Sequence, residues 1–177
     1  MKTLILYLSY DGQTKKIAEK IATQLEKTEQ VILRNLIDVT DSELAIFDRI
    51  LIGASIRYGK FHPQLSYFIQ QNSEILNQKI SAFFSVNLTA RKAGKNSPET
   101  NVYTRKLLAK IAWQPKLVAV FAGALFYPRY SLFDRTMIRF IMWLTGGETN
   151  PTKEVEYTNW QQVEEFADQF AKITDCQ

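Results

Sequence analysis

Five short apolar runs, separated by stretches of helical periodicity, limit what this 177-residue chain can fold into. They span 4–8, 31–36, 49–55, 79–86 and 117–124. The third, Arg-Ile-Leu-Ile-Gly-Ala-Ser, is apolar through its centre, the pattern of a strand covered on both faces. After the first run, Ile17, Ala18, Ile21, Ala22 and Leu25 recur at helical spacing. After the third, Pro63 opens a helix carrying Leu65, Phe68, Ile69 and Leu76 on one face, with His62 as a helix-start residue rather than a metal ligand. After the fourth, Ser97-Pro98 predicts a helix start, running to about Trp113. This alternation predicts an α/β fold, a five-stranded parallel sheet with helices on both faces. Ligands of such sheets bind beyond the carboxyl ends of the strands, where the strand order reverses.

Three loops should meet there. The first, Ser9, Tyr10, Asp11, Gly12, Gln13 and Thr14, lies between a strand and a helix N-terminus, where free N–H groups and the helix dipole favour an anion. Gly12 allows close backbone approach, and Ser9 and Thr14 offer hydroxyls. The loop matches neither G-x-x-x-x-G-K-[ST] nor G-x-G-x-x-G, which weighs against triphosphates and dinucleotides, and an ordinary βα turn remains an alternative. The second loop is Ser55, Ile56, Arg57, Tyr58 and Gly59, and the third is Ser85, Val86, Asn87, Leu88, Thr89, Ala90 and Arg91.

Past the fifth run the chain enters Phe-Tyr-Pro-Arg-Tyr at 126–130 and a helical pattern from Ser131 to Thr145, which Gly146-Gly147 stops. Phe133, Met137, Phe140, Ile141 and Leu144 form a stripe widened by Leu132, Ile138, Met142 and Trp143, with Ser131, Arg135 and Arg139 opposite. At 1.5 Å per residue this helix reaches about 22 Å, short of a hydrocarbon core of about 30 Å. Three contacts stay open for its apolar face: a membrane interface or quinone, the protein's own core, or a second copy of the chain as a homo-oligomer. Glu154 to Tyr157 is expected to resume the interrupted fifth strand. Thr158 to Gln161 then reads as a capping box for a last helix burying Val163, Phe166, Ala167 and Phe170 and ending near Thr174. The expected organisation is one domain over 1–177 with an insertion at about 126–150.

Charge is unevenly spread. Between Thr89 and Lys116 seven cations face one acid, leaving this tract at +6 and, with the whole chain at +4, the remainder at −2. A one-sided basic surface suits an acidic ligand or an anionic membrane surface. No recognisable nucleic-acid module accompanies it, so no nucleic-acid partner is expected. A lone cysteine, Cys176, excludes a disulfide framework and a cysteine metal cluster and fits a reducing compartment; no metal is expected. The N-terminal apolar run is too short for a signal core, so no cleavable leader is expected.

Six segments taken in order carry a resemblance: Asp-Gly-Gln-Thr at 11–14, Ile-Gly-Ala-Ser-Ile-Arg-Tyr-Gly at 52–59, Ser-Val-Asn-Leu-Thr-Ala-Arg-Lys at 85–92, Ala-Gly-Ala-Leu at 122–125, Tyr-Pro-Arg-Tyr at 127–130 and Gly-Gly-Glu-Thr at 146–149. With the insertion, they make the chain resemble the flavodoxin fold and, within it, the bacterial flavodoxin-like protoporphyrinogen oxidase family, the quinone-dependent dehydrogenases of haem synthesis. The resemblance implies noncovalent FMN, oxidation of protoporphyrinogen IX to protoporphyrin IX in three two-electron steps, and menaquinone or ubiquinone as acceptor. It also implies peripheral attachment to the cytoplasmic face of the inner membrane. By position, Ser9 to Thr14 would hold the phosphate, Ser55 to Gly59 and Ser85 to Arg91 would flank the isoalloxazine, and Tyr58 would stack on it. The charge pattern adds Arg91, Lys92, Arg129 and Arg135, and the surface-seeking character of the inserted helix adds Arg139 and Trp143, as substrate or membrane contacts. Asp11, repulsive toward a phosphate, is expected to turn away and cap backbone N–H groups of the loop or the helix. No general base is nominated. A soluble flavodoxin-type electron carrier and an NAD(P)H:quinone reductase are the rival readings.

Overall fold

The apolar runs become a parallel sheet because the central ones, 4–8, 49–54 and 80–86, find cover on both faces. The computed structural model describes residues 1–174; Cys176 lies outside them. Its strands are β1 (Lys2–Leu8), β2 (Gln30–Asn35), β3 (Arg49–Arg57), β5 (Ile80–Asn87) and β6 (Leu117–Ala122), with β4 (Lys60–Phe61) folded antiparallel onto the end of β3. Their spatial order is β2-β1-β3-β5-β6, with Ile5 opposite Leu33 on one side and Leu51 on the other. The order reverses at β1, next to β3.

Helices α1 (Gln13–Leu25) and α5 (Trp160–Lys172) cover one face, where Ile17, Ile21, Phe166 and Phe170 pack with Ile5, Leu51 and Phe84. Helices α2 (Pro63–Gln78) and α3 (Val102–Leu108) cover the other, where Leu65, Ile69, Leu107 and Trp113 meet Leu6, Ile52 and Phe83. The sheet admits Phe84 only because Gly53 faces it: a Cβ at Gly53 would lie 2.0 Å from Phe84 Cζ.

His62 does begin α2, its ring nitrogen accepting from the Gln64 N–H at 3.2 Å. Three expectations are corrected. Helix α3 begins after Asn101, not at Ser97-Pro98, and ends at Leu108, short of Trp113. Ser97 and Thr100 bond each other at 2.9 Å in a local turn, while buried Asn101 accepts from the Thr104 N–H and donates to Asn87 Oδ1 at 3.2 Å. A cap anchored to the core outcompetes an exposed one. At the start of α5 the cap is Asn159, accepting from Gln161 and Gln162, because the Thr158 hydroxyl donates to Ala122 O and accepts from Gln13 Nε2. Finally, the chain after the insertion does not resume the fifth strand. The strand divides at Gly123 into β6 and β7 (Ala124–Phe126), and β8 (Glu154–Glu156) pairs antiparallel with β7 as a separate ribbon.

Between β7 and β8 lies α4 (Leu132–Leu144), started by Ser131, whose hydroxyl accepts from the Asp134 N–H at 3.1 Å. It brings its own small core of Leu125, Tyr127, Tyr130, Ile138 and Met142. The docked residues are Ile138 and Met142, at the margin of the expected stripe. The centre of the stripe stays outside, with Phe133 70%, Phe140 54% and Leu144 62% exposed. Among the described residues no helix is long and apolar enough to cross a membrane.

Candidate active site

The three loops do converge, around a cavity of about 560 Å³ at the carboxyl end of the sheet. Its polar end is the β1–α1 turn. Gly12 stands at φ 94°, left-handed backbone that glycine adopts without penalty, and open space surrounds the position of its missing Cβ. The Ser9 hydroxyl accepts from the Gly12 N–H at 2.9 Å and fixes the turn. Ser55 ties the neighbouring strand ends, accepting from the Tyr10 N–H at 3.3 Å and donating to Leu8 O at 3.2 Å. Gln13 lines the wall but its amide donates outward to Glu156 and Thr158. The buried Thr14 hydroxyl has no partner among the described residues. A buried hydroxyl left without a partner carries an unmet desolvation cost, which an anion at the helix N-terminus would relieve.

Asp11 does not cap loop N–H groups as expected. It pairs with Arg57 at 3.0 Å, and Ser9 performs the capping. Burial raises the Asp11 carboxyl above its usual range; Arg57 pulls it down, and Asp134 adds to the rise. The Arg57 guanidinium sits 5.1 Å from the Tyr10 ring centroid, 5.7 Å from that of Tyr130 and 6.0 Å from that of Tyr58. Beside it, the Tyr58 hydroxyl donates to Asp134, and burial followed by that bond pushes it up to about 12.

The third wall is the short 3₁₀ turn Leu88–Arg91, capped by Asn87, whose Oδ1 accepts from the Ala90 N–H at 3.0 Å while its buried Nδ2 has no partner among the described residues. The Arg91 guanidinium donates to Leu88 O at 2.8 Å and to Thr145 Oγ1 at 2.9 Å, joining this turn to the end of α4. Ile56, Gly59, Val86, Thr89 and Lys92 also line the cavity. Gly12, Ser85 and Ala90 do not reach it: the Ser85 hydroxyl is buried against Thr104 at 2.7 Å, on the α3 side.

The remaining contact candidates separate. Arg129 makes a forked pair with Glu154 at 2.8 and 3.1 Å, and Arg135 donates to Tyr127 O at 3.2 Å, so both serve the insertion's own structure. Arg139 and Trp143 are exposed and lie off the cavity wall. Sequence reasoning missed Tyr103, Tyr130 and Lys95, and the α4 residues Met137, Ile138, Ile141 and Met142, which form an apolar wall. The i, i+4 pairs 137/141 and 138/142 were the available signal, hidden inside a broader apolar stripe.

The family model described as Flavodoxin domain matches residues 4–152. A protoporphyrinogen IX dehydrogenase (quinone) of Leishmania major is 50% identical over 175 residues, 97% of this chain and 75% of that protein. The protein of the same name from Escherichia coli (strain K12) is 47% identical over 176 residues, 99% of this chain and 97% of its own. The chain belongs to the flavodoxin-domain family of quinone protoporphyrinogen IX dehydrogenases. As a member it is an oxidoreductase. Oxidised flavodoxin 1 from Bacillus cereus superposes with a TM-score of 0.58 at 16% identity, covering 99% of this chain and 100% of that one, a likeness of fold alone. Membership in a flavodoxin domain implies FMN. The residues fit that group: a helix N-terminus with an unpartnered buried hydroxyl at Thr14, an unpartnered amide at Asn87, and an aromatic at Tyr58 border one cavity.

Proposed function

We propose that this flavodoxin-domain oxidoreductase takes six electrons and six protons from protoporphyrinogen IX, giving protoporphyrin IX, and reduces three membrane quinones, menaquinone or ubiquinone. It would work at the cytoplasmic face of the inner membrane. FMN, when bound, supplies two-electron chemistry between donor and acceptor. The chain binds and orients. The first-turn N–H groups of α1 and the Thr14 hydroxyl would hold the FMN phosphate, and Asn87 Nδ2 and the backbone of the β3 and β5 loops would border its ring system. Lys92 and Lys95 put positive charge on the rim, where a porphyrinogen's propionates would be drawn. Helix α4 closes one side with methionine and isoleucine side chains, excluding water from the reacting rings.

One observation carries the reading beyond a simple electron carrier: α4 both walls the cavity and turns a large apolar surface outward. Met137 and Ile141 line the cavity and are still 37% and 38% exposed, so apolar surface is continuous from inside to Phe140 and Leu144 outside. A helix of that character beside cationic residues suits an anionic bilayer surface. The test is anaerobic: purified protein, FMN and protoporphyrinogen IX, with porphyrin fluorescence followed on adding menadione. A quinone-dependent rise above a heat-killed control is expected. Its absence would sink the assignment.

A further inference from the structure

The rim of the cavity is tied across by a hydrogen bond that neither phosphate binding nor a flavodoxin core requires. Tyr58 follows β3 with its backbone at φ 51°, the one non-glycine residue at positive φ among the described residues. A bulky side chain is disfavoured there, so the surroundings must hold it. The residue is 42% exposed. Its hydroxyl, however, donates to Asp134 in the first turn of α4.

That acceptor is itself fixed. The Ser131 hydroxyl donates to the other Asp134 oxygen at 3.0 Å and accepts from the Asp134 N–H at 3.1 Å, so the carboxylate has one orientation. On the ring side, Arg57 stands between Tyr58 and Tyr130 while paired with Asp11 of the β1–α1 turn. The β1–α1 turn, the β3 loop and the insertion therefore meet side chain to side chain. An exposed tyrosine would otherwise populate several rotamers; a bond from its hydroxyl to a rigid carboxylate selects one.

We propose that Asp134 is a positioning residue: acting through the Tyr58 hydroxyl, it holds the Tyr58 ring at the cavity edge, so that the inserted helix sets the surroundings of the flavin. This rests on the FMN reading of the cavity. A displacement of α4 on whatever supports it would reach the flavin through one hydrogen bond.

The test is a double-mutant cycle in the full chain with Tyr58→Phe, Asp134→Ala and both, together with Asp134→Asn. FMN affinity is read by fluorescence titration, bound flavin by visible circular dichroism, and the apo protein by its Tm. Each single change should weaken FMN about fivefold and alter the visible spectrum alike, with no further loss in the double variant. Asp134→Asn, whose side-chain oxygen still accepts, should keep the wild-type spectrum. Additive effects, or a lowered apo Tm with an unchanged flavin spectrum, would overturn the role of Asp134 alone. A wild-type chain that takes up no FMN would overturn the cofactor reading and this inference with it.

Discussion

At the scale of single residues, the site is a set of polar groups whose partners decide their use. Ser9 and Thr14 look alike in the sequence, but the Ser9 oxygen accepts from the Gly12 N–H and shapes the turn, while the Thr14 hydroxyl is buried and unmet among the described residues. Thr14→Val should leave the apo Tm unchanged and weaken FMN at least tenfold, since a hydrogen bond to a charged group contributes about 1.5–3 kcal/mol; fluorescence titration checks it, and unchanged affinity removes Thr14 from the site. Tyr58 gives a pH signature. Burial, and after it the bond to Asp134, pushes its hydroxyl up to about 12 from the usual 10.0, so what the neutral hydroxyl contributes to stability is intact below pH 10 and lost as pH climbs through 12. On the acid side, Asp134 is held below 3.8 by the Tyr58 hydroxyl and then Ser131, so its contribution is present above 3.8 and lost as pH falls through the folded value. The Tm gap between wild type and Tyr58→Phe should therefore be level in between and close at both extremes. The hydroxyl-rich turn was legible in the sequence because its geometry is local. The Asp11 partner was not, since Arg57 lies 46 residues away and only the β1–β3 pairing brings it near.

At the scale of elements, the same divide between local and distant causes holds. Helix α2 announced itself through His62-Pro63, and the five parallel strands through their apolar runs. The start of α3 was hidden because Asn101 is anchored by Asn87, at the end of β5, and the capping of α5 because the Thr158 hydroxyl bonds Ala122 O. The direction of β8 depended on whether the sheet or the ribbon offered it a partner, which no local pattern encodes. Close packing between β3 and β5 gives a sharp prediction. Gly53→Ala should destabilise the protein by about 1–3 kcal/mol by overpacking against Phe84, seen as a lower urea midpoint. An unchanged midpoint would mean that the Phe84 ring can withdraw.

For the whole molecule, two faces are separately assigned: the sheet's cores hold the chain together, and the insertion carries its own core and an exposed apolar flank. Phe140→Glu with Leu144→Glu changes only exposed side chains that lie off the cavity wall. It should abolish co-sedimentation with anionic vesicles and leave FMN affinity and menadione-coupled turnover as in the wild type. Persistent vesicle binding would assign the flank to another contact. The ribbon at the base of the insertion has an architectural consequence. Phe126 and Glu154, where the chain leaves and returns, oppose each other on one rung, about 5 Å apart at Cα. The rung is a splice point: a short hairpin could close it without moving the parallel sheet, and a segment of other length or chemistry could be grafted there. A flavin scaffold built this way can exchange the cassette that meets its substrates while the machinery beneath it is inherited unchanged.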